Sequence, residues 1–72
     1  MAIAKNIRKE IGDRIKKIRE SKEWSQEEVA EKAGMKANYF AKIERGLYGS
    51  APEKLYAIAK ALEVDISEIF PS

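Results

Sequence analysis

Residues Ser25 to Gly46 read SQEEVAEKAGMKANYFAKIERG, and this run lays out two short helices separated by a glycine turn. Ser25 with Glu28 three residues on makes a capping box, and Trp24 before it and Val29 after it can close a hydrophobic staple. The first helix of the pair therefore starts at Gln26. Val29, Ala30 and Ala33 share one of its faces, and Gly34 ends it because glycine tolerates the positive φ of a tight helix-ending turn. In the second helix Phe40 and Ile43 point inward, which leaves Ala37, Asn38, Lys42 and Arg45 outside, and Gly46 closes it.

The flanking segments are helical as well. Ile7, Ile11, Ile15 and Ile18 recur at spacings of four, four and three, an amphipathic stripe that predicts a first helix running to Glu20, with Arg14, Lys16 and Lys17 away from the stripe. The segment SKEW breaks it. After the central pair, GLYGSAP is the one Gly/Ser/Pro-rich stretch; Ser50 with Glu53 reads as a second capping box, with Pro52 tolerated in the first turn. The next helix buries Leu55, Ile58, Ala59 and Leu62 and ends before Val64. Asp65 with Glu68 opens a short last helix through Ile69 and Phe70, stopped by Pro71. Five short helices and no strand pattern predict a compact all-α domain over residues 1–72, with Ile11, Ile15, Ile18, Val29, Phe40, Ile43, Leu55, Ile58 and Leu62 as its core.

A chain of 72 residues buries only about 60% of its unfolded surface, and without cysteine it must rely on packed helices and on dimerisation. No run of about 18 apolar residues is present, and MAIAKNIRKE lacks the apolar centre of a secretory signal, so the cytoplasm is the expected compartment. The net charge of +2 is small but unevenly spread. Up to Lys22 there are eight Lys/Arg against three Asp/Glu; from Glu23 on there are six against nine. The basic end, with Lys5, Arg8 and Lys9, is either a solvated helix end or a phosphate-facing surface. With no His, no Cys and no glycine-rich phosphate loop, an enzyme, a metal site, a cofactor and a small-molecule ligand are all unexpected. Glu27, Glu28 and Glu31 cap and solvate, and they repel polyanions from their own face.

Two short helices around a glycine turn make a helix-turn-helix, whose second helix can enter the major groove of DNA. Four blocks extend this into a resemblance: IGDRIKKIRE, SQEEVAEKAG, IERG and LYAIAKALEVDISEIF, from about Ile11 to Phe70. In this order and spacing the chain resembles the XRE, or Cro/CI-type, helix-turn-helix regulators, with the lambda-repressor-like fold. The resemblance implies a structural ion pair between Arg19 and Glu44. It implies a phosphate contact at Gln26, base reading by Ala37, Asn38 and Lys42, and further phosphate contacts from Tyr39 and Arg45. Side-chain chemistry agrees, since Asn can bind adenine through two hydrogen bonds, Lys can donate to guanine, and Ala can touch a thymine methyl. Three departures stand out. Glu23 occupies a position where the family usually has glycine, and Lys36 stands where Ser or Thr usually caps the second helix. Lys36 cannot accept the cap hydrogen bond and is read as a phosphate contact. After Gly46, Leu47 and Tyr48 occupy positions that are often basic.

The expected function is that of a sequence-specific regulator binding double-stranded DNA as a homodimer on a palindromic operator, resembling phage repressors or restriction-modification controllers and carrying no effector domain. Tyr56, Val64, Ile66, Ile69 and Phe70 are the expected dimer interface. An antitoxin-like module, whose main partner is another protein through the same apolar residues, is the alternative. Trp24 is expected to pack rather than stack on bases, and Tyr48 and Tyr56 to pack with wet hydroxyls.

Overall fold

The isoleucine stripe folds as α1, Lys5–Ser21, ending one residue beyond the expected Glu20. The computed structural model describes residues 5–48 and 51–71. Ile11 and Ile15 are fully buried and Ile18 packs against the core, but Ile7 is exposed, so the stripe is covered only from Ile11 onward. Next come α2 (Gln26–Ala33), α3 (Ala37–Glu44) and α4 (Pro52–Ala61). The box at α2 forms as predicted: the Glu28 N–H donates to Ser25 Oγ at 3.0 Å, and the Ser25 N–H donates to Glu28 Oε1 at 2.8 Å. Ser50 lies outside the described residues. The helix it was expected to cap begins at Pro52 with Ala51 at the N-cap and no side-chain cap.

The expected fifth helix is instead a single 3-10 turn, Ile66–Glu68. Its Asp65 cap is present, with the Ser67 N–H donating to Asp65 Oδ1 at 2.9 Å and the Asp65 N–H donating to Glu68 Oε2 at 3.1 Å. Pro71 disfavours the α conformation at Phe70, so too few residues remain to build a ladder of α-helical hydrogen bonds. Among the described residues the fold is thus four α-helices and one 3-10 turn, with no strand.

Every α-helix ends in the same way. The residues Glu23, Gly34, Gly46 and Glu63 have φ of 59°, 73°, 75° and 61°. The next residue in each case sends its N–H back five positions, from Trp24 to Arg19, Met35 to Ala30, Leu47 to Lys42 and Val64 to Ala59, at 2.9–3.2 Å. This is the Schellman closure, which satisfies carbonyls left orphaned at a helix end. Two of the four closures use glutamate, for which the left-handed conformation costs about 1–2 kcal/mol.

The core gathers Ile11, Ile15, Val29, Ala30, Phe40, Ile43, Leu55, Ile58, Ala59, Ala61, Leu62 and Ile69. In it α2 packs on both α3 and α4, α1 lies against α3, and the 3-10 turn covers α4. The α1–α3 contact runs backbone to backbone. A Cβ at Gly12 would stand 2.6 Å from the Ile43 carbonyl oxygen and closer still to that of Glu44, and one at Gly46 would stand 2.8 Å from Lys9 Cα. Ile69, expected at a subunit interface, is fully buried in the chain's own core, because the 3-10 turn folds its apolar side back onto α4. Of the other four residues assigned there, Val64, Ile66 and Phe70 are half-buried against the core and Tyr56 is 64% exposed.

Replacing Glu23 by glycine is expected to raise stability by about 1 kcal/mol, the relief of left-handed strain being partly offset by the looser unfolded chain. Denaturant unfolding checks this, and an unchanged or lower midpoint counts against strain at that turn. The two reciprocal caps also predict acid sensitivity. The Ser25 backbone N–H, then its hydroxyl, holds the Glu28 carboxyl below its ordinary value, and the Ser67 N–H does the same for Asp65. The unfolded chain therefore takes up protons first as pH falls, so this stabilisation, complete at neutral pH, is lost as pH drops from the ordinary carboxylate range through the folded values. Melting temperature should fall over that window, and less steeply in a Glu28→Gln, Asp65→Asn double variant. Equal slopes would exclude the caps as the cause.

Candidate nucleic-acid interface

Glu44 ends α3 and is the one carboxylate in that helix. It is 4% exposed and, among the described residues, the one buried charged residue of the core. A buried carboxylate must be paired and fully hydrogen-bonded. Arg19 Nε donates to Glu44 Oε2 at 2.6 Å and Arg19 Nη2 to Oε1 at 3.2 Å, the two-pronged geometry that guanidinium favours. Gln26 Nε2 donates to the same Oε1 at 2.9 Å. Arg19 Nη1 turns the other way and donates to the Trp24 carbonyl at 2.8 Å. One network thus joins the end of α1, the loop after it, the first residue of α2 and the last residue of α3. The Glu44 hydrogen bond holds the Arg19 guanidinium above its ordinary pKa, with burial opposing.

With Glu44 turned inward, the outward face of α3 carries Asn38, Lys42 and Arg45, all exposed, with Ala37 and Ala41 half-buried beside them. Asn38 and Lys42 are one turn apart and share a face. Lys36 is the N-cap of α3, exposed and without a side-chain cap hydrogen bond, as its chemistry dictates. Gln26 is half-buried, its amide oriented by Glu44 at the start of α2. Lys36, Lys42 and Arg45 are accordingly the charges that α3 and its flanking residues turn outward. Glu27, Glu28 and Glu31 lie on α2, and Trp24 is covered by Lys32 Nζ, 3.7 Å from the ring centroid.

Two further residues join this surface that sequence reasoning did not place there. Tyr48 was expected only to pack, but its ring meets that of Tyr39 with centroids 5.3 Å apart, and Lys42 Nζ stands 3.4 Å from its hydroxyl. Lys54 Nζ, from α4, lies 5.8 Å from the Tyr39 ring centroid. No sequence signal marks either one. Tyr48 comes after a helix end and Lys54 sits on another helix, so their spacing from Tyr39 and Lys42 has no periodic meaning. Gly12 did carry a signal: glycine inside a helix costs about 0.5–1 kcal/mol against alanine and so marks a close approach.

Among the described residues no helix is long and apolar enough to cross a membrane. A helix-turn-helix family model matches residues 15–69. The immunity repressor protein of Bacillus phage phi105 is 41% identical over 59 residues, which is 82% of this chain but only 41% of the repressor's length. The uncharacterized HTH-type transcriptional regulator y4dJ of Sinorhizobium fredii is 33% identical over 64 residues, covering 89% of this chain and 83% of that protein. Among solved structures, the restriction-modification controller protein C.AhdI from Aeromonas hydrophila superposes with a TM-score of 0.85 at 28% identity, over 88% of this chain and 96% of that one. These relatives are transcription regulators rather than enzymes. With its two-helix core, its glycine turn and the Arg19–Glu44 pair all in place, the chain belongs to the XRE-type helix-turn-helix family of transcription regulators.

Proposed function

We propose that this protein is a cytoplasmic, sequence-specific regulator that binds double-stranded DNA as a homodimer on a palindromic operator, residues 1–72 forming one DNA-reading domain. The observation that carries this reading is the face of α3: Asn38, Lys42 and Arg45 exposed, and the single carboxylate, Glu44, buried against Arg19. A helix face that exposes Lys42 and Arg45 and no carboxylate suits the electronegative major groove. In this reading Asn38 and Lys42 reach base edges and Ala37 contacts a thymine methyl, while Gln26, Lys36, Tyr39 and Arg45 hold phosphates and set the register.

Dimerisation is a matter of size. The chain measures 28 × 23 × 18 Å, and half-sites in successive major grooves have centres about 34–36 Å apart, so reading both requires two copies. Tyr56, Val64, Ile66 and Phe70 supply the apolar surface for the contact, with Ile69 supporting it from the core. The repressor and controller proteins named above support the regulatory role, and where the operator lies relative to a promoter sets its sign.

If the dimer neutralises about six phosphates, log K against log salt should slope near −5. Replacing Asn38 or Lys42 by alanine should cost about 1–3 kcal/mol on the preferred operator and relax one position in each half-site, whereas Arg45→Ala should weaken all duplexes alike. Selection of bound sequences from a random pool, with salt titrations on the winners, measures both. A slope near zero sinks DNA binding, and identical sequence preferences for wild type, Asn38→Ala and Lys42→Ala sink the base-reading assignment. For the dimer, sedimentation should show concentration-dependent association that Ile66→Glu and Phe70→Glu weaken together with operator binding. Association insensitive to both moves the interface elsewhere.

A further inference from the structure

Lysine on an exposed helix face normally wanders. Its side chain carries about 2 kcal/mol of rotamer entropy, and a base-reading lysine must surrender that freedom on contact. Lys42 is not left to wander here. The Leu47 N–H returns to the Lys42 carbonyl at 2.9 Å, so the chain leaving α3 folds back over Lys42 and brings Tyr48 beside it. The Lys42 ammonium stands 5.4 Å from the Tyr48 ring centroid and 3.4 Å from its hydroxyl. Tyr48 is itself 40% exposed. Its ring makes a tilted pairing with that of Tyr39, which packs on the core. Lysine, tyrosine and tyrosine thus form a bridge from the reading face of α3 to the interior.

We propose that Tyr48 is a positioning residue for sequence recognition: it holds the Lys42 ammonium ahead of contact and so sharpens discrimination at the base pair that Lys42 reads. This rests on the reading of Lys42 as a base-reading residue. The gain comes from preorganisation, since a side chain already confined loses less freedom when it meets its target, and only the geometry that matches the right base is held ready. A phosphate contact made by the Tyr48 hydroxyl itself is the competing role, and it acts equally on every sequence.

The test compares wild type, Tyr48→Phe, Tyr48→Ala, Lys42→Ala and the Tyr48→Ala, Lys42→Ala double variant, all checked for unchanged helicity and melting temperature. Each is measured on the preferred operator and on operators changed at one base pair per half-site, over a range of salt. Tyr48→Ala should reduce discrimination at the base pair assigned by Lys42→Ala by about 2- to 5-fold, the scale of an exposed cation–π contact. Tyr48→Phe, which keeps the ring, should lose less, the salt slope should not change, and in the Lys42→Ala background Tyr48→Ala should have no further effect at that base pair. A uniform loss on all duplexes with a shallower salt slope overturns the proposal in favour of a phosphate contact. A loss of discrimination that persists without Lys42 overturns it too. If Lys42→Ala alone leaves every preference intact, the base-reading assignment falls and this inference with it, whereas a Lys42 effect with no Tyr48 effect overturns only the inference.

Discussion

For α3 to present a face free of negative charge, its one carboxylate has to go inside, and Glu44 can go inside only because Arg19 meets it there. The rest of the arrangement depends on that pairing. Arg19 belongs to α1, Gln26 to α2 and Glu44 to α3, so satisfying one buried charge fixes the mutual placement of all three helices. Such a pair is weak support for net stability, because desolvation offsets most of the attraction, but leaving either partner alone costs about 3–5 kcal/mol. Its value lies in geometry. The angle between α2 and α3 is set by hydrogen bonds of definite length and direction, where apolar packing alone would tolerate sliding.

The helix ends extend the same principle to the loops. Four Schellman closures give each connection a defined exit direction, and that direction places the apolar residue after each turn, Trp24, Met35, Leu47 or Val64. At Trp24 the closure and the ion-pair network share residues, since the loop carbonyl that the Arg19 guanidinium binds belongs to the residue whose N–H returns to the Arg19 carbonyl. Leu47 is the exception to burial, at 52% exposed, and it lies where the chain turns toward Tyr48. Loop geometry and reading surface are therefore built from the same residues.

Two of the three helix beginnings read from capping boxes were legible because capping is local: Ser25 with Glu28 and Asp65 with Glu68 each announce themselves within four residues and are hydrogen-bonded as read, whereas α4 starts after Ala51 rather than Ser50. The glycine ends at Gly34 and Gly46 were legible for the same reason. The end at Glu63 was not, since nothing in a glutamate advertises positive φ. The last helix was overread because a cap and an apolar pattern suit one 3-10 turn as well as an α-helix, and the length limit came from Pro71. Ile69 was placed outside because periodicity identifies an apolar face without saying what covers it. The Arg19–Glu44 pair, twenty-five positions apart in sequence, was legible only through resemblance, and the Tyr48–Lys42 contact not at all, because both depend on tertiary geometry.

At Gly12 the scaffold and the reading surface meet with no space between them. Gly12 has no side chain and stands on α1, outside the α2–α3 pair, yet the carbonyls of Ile43 and Glu44 occupy the space a methyl group would need. With Asn38 and Lys42 reading DNA as proposed, a genetic screen for lost regulation would recover Gly12 alleles beside theirs, and by phenotype alone they would be indistinguishable. Cellular abundance separates them: reading-face alleles leave a folded protein at normal levels, whereas Gly12 alleles push α1 off α3 and send the chain to proteolysis. A map of loss-of-function positions on this protein would therefore outline its folding joint and the proposed DNA contacts together, and only a parallel measure of protein level divides the two.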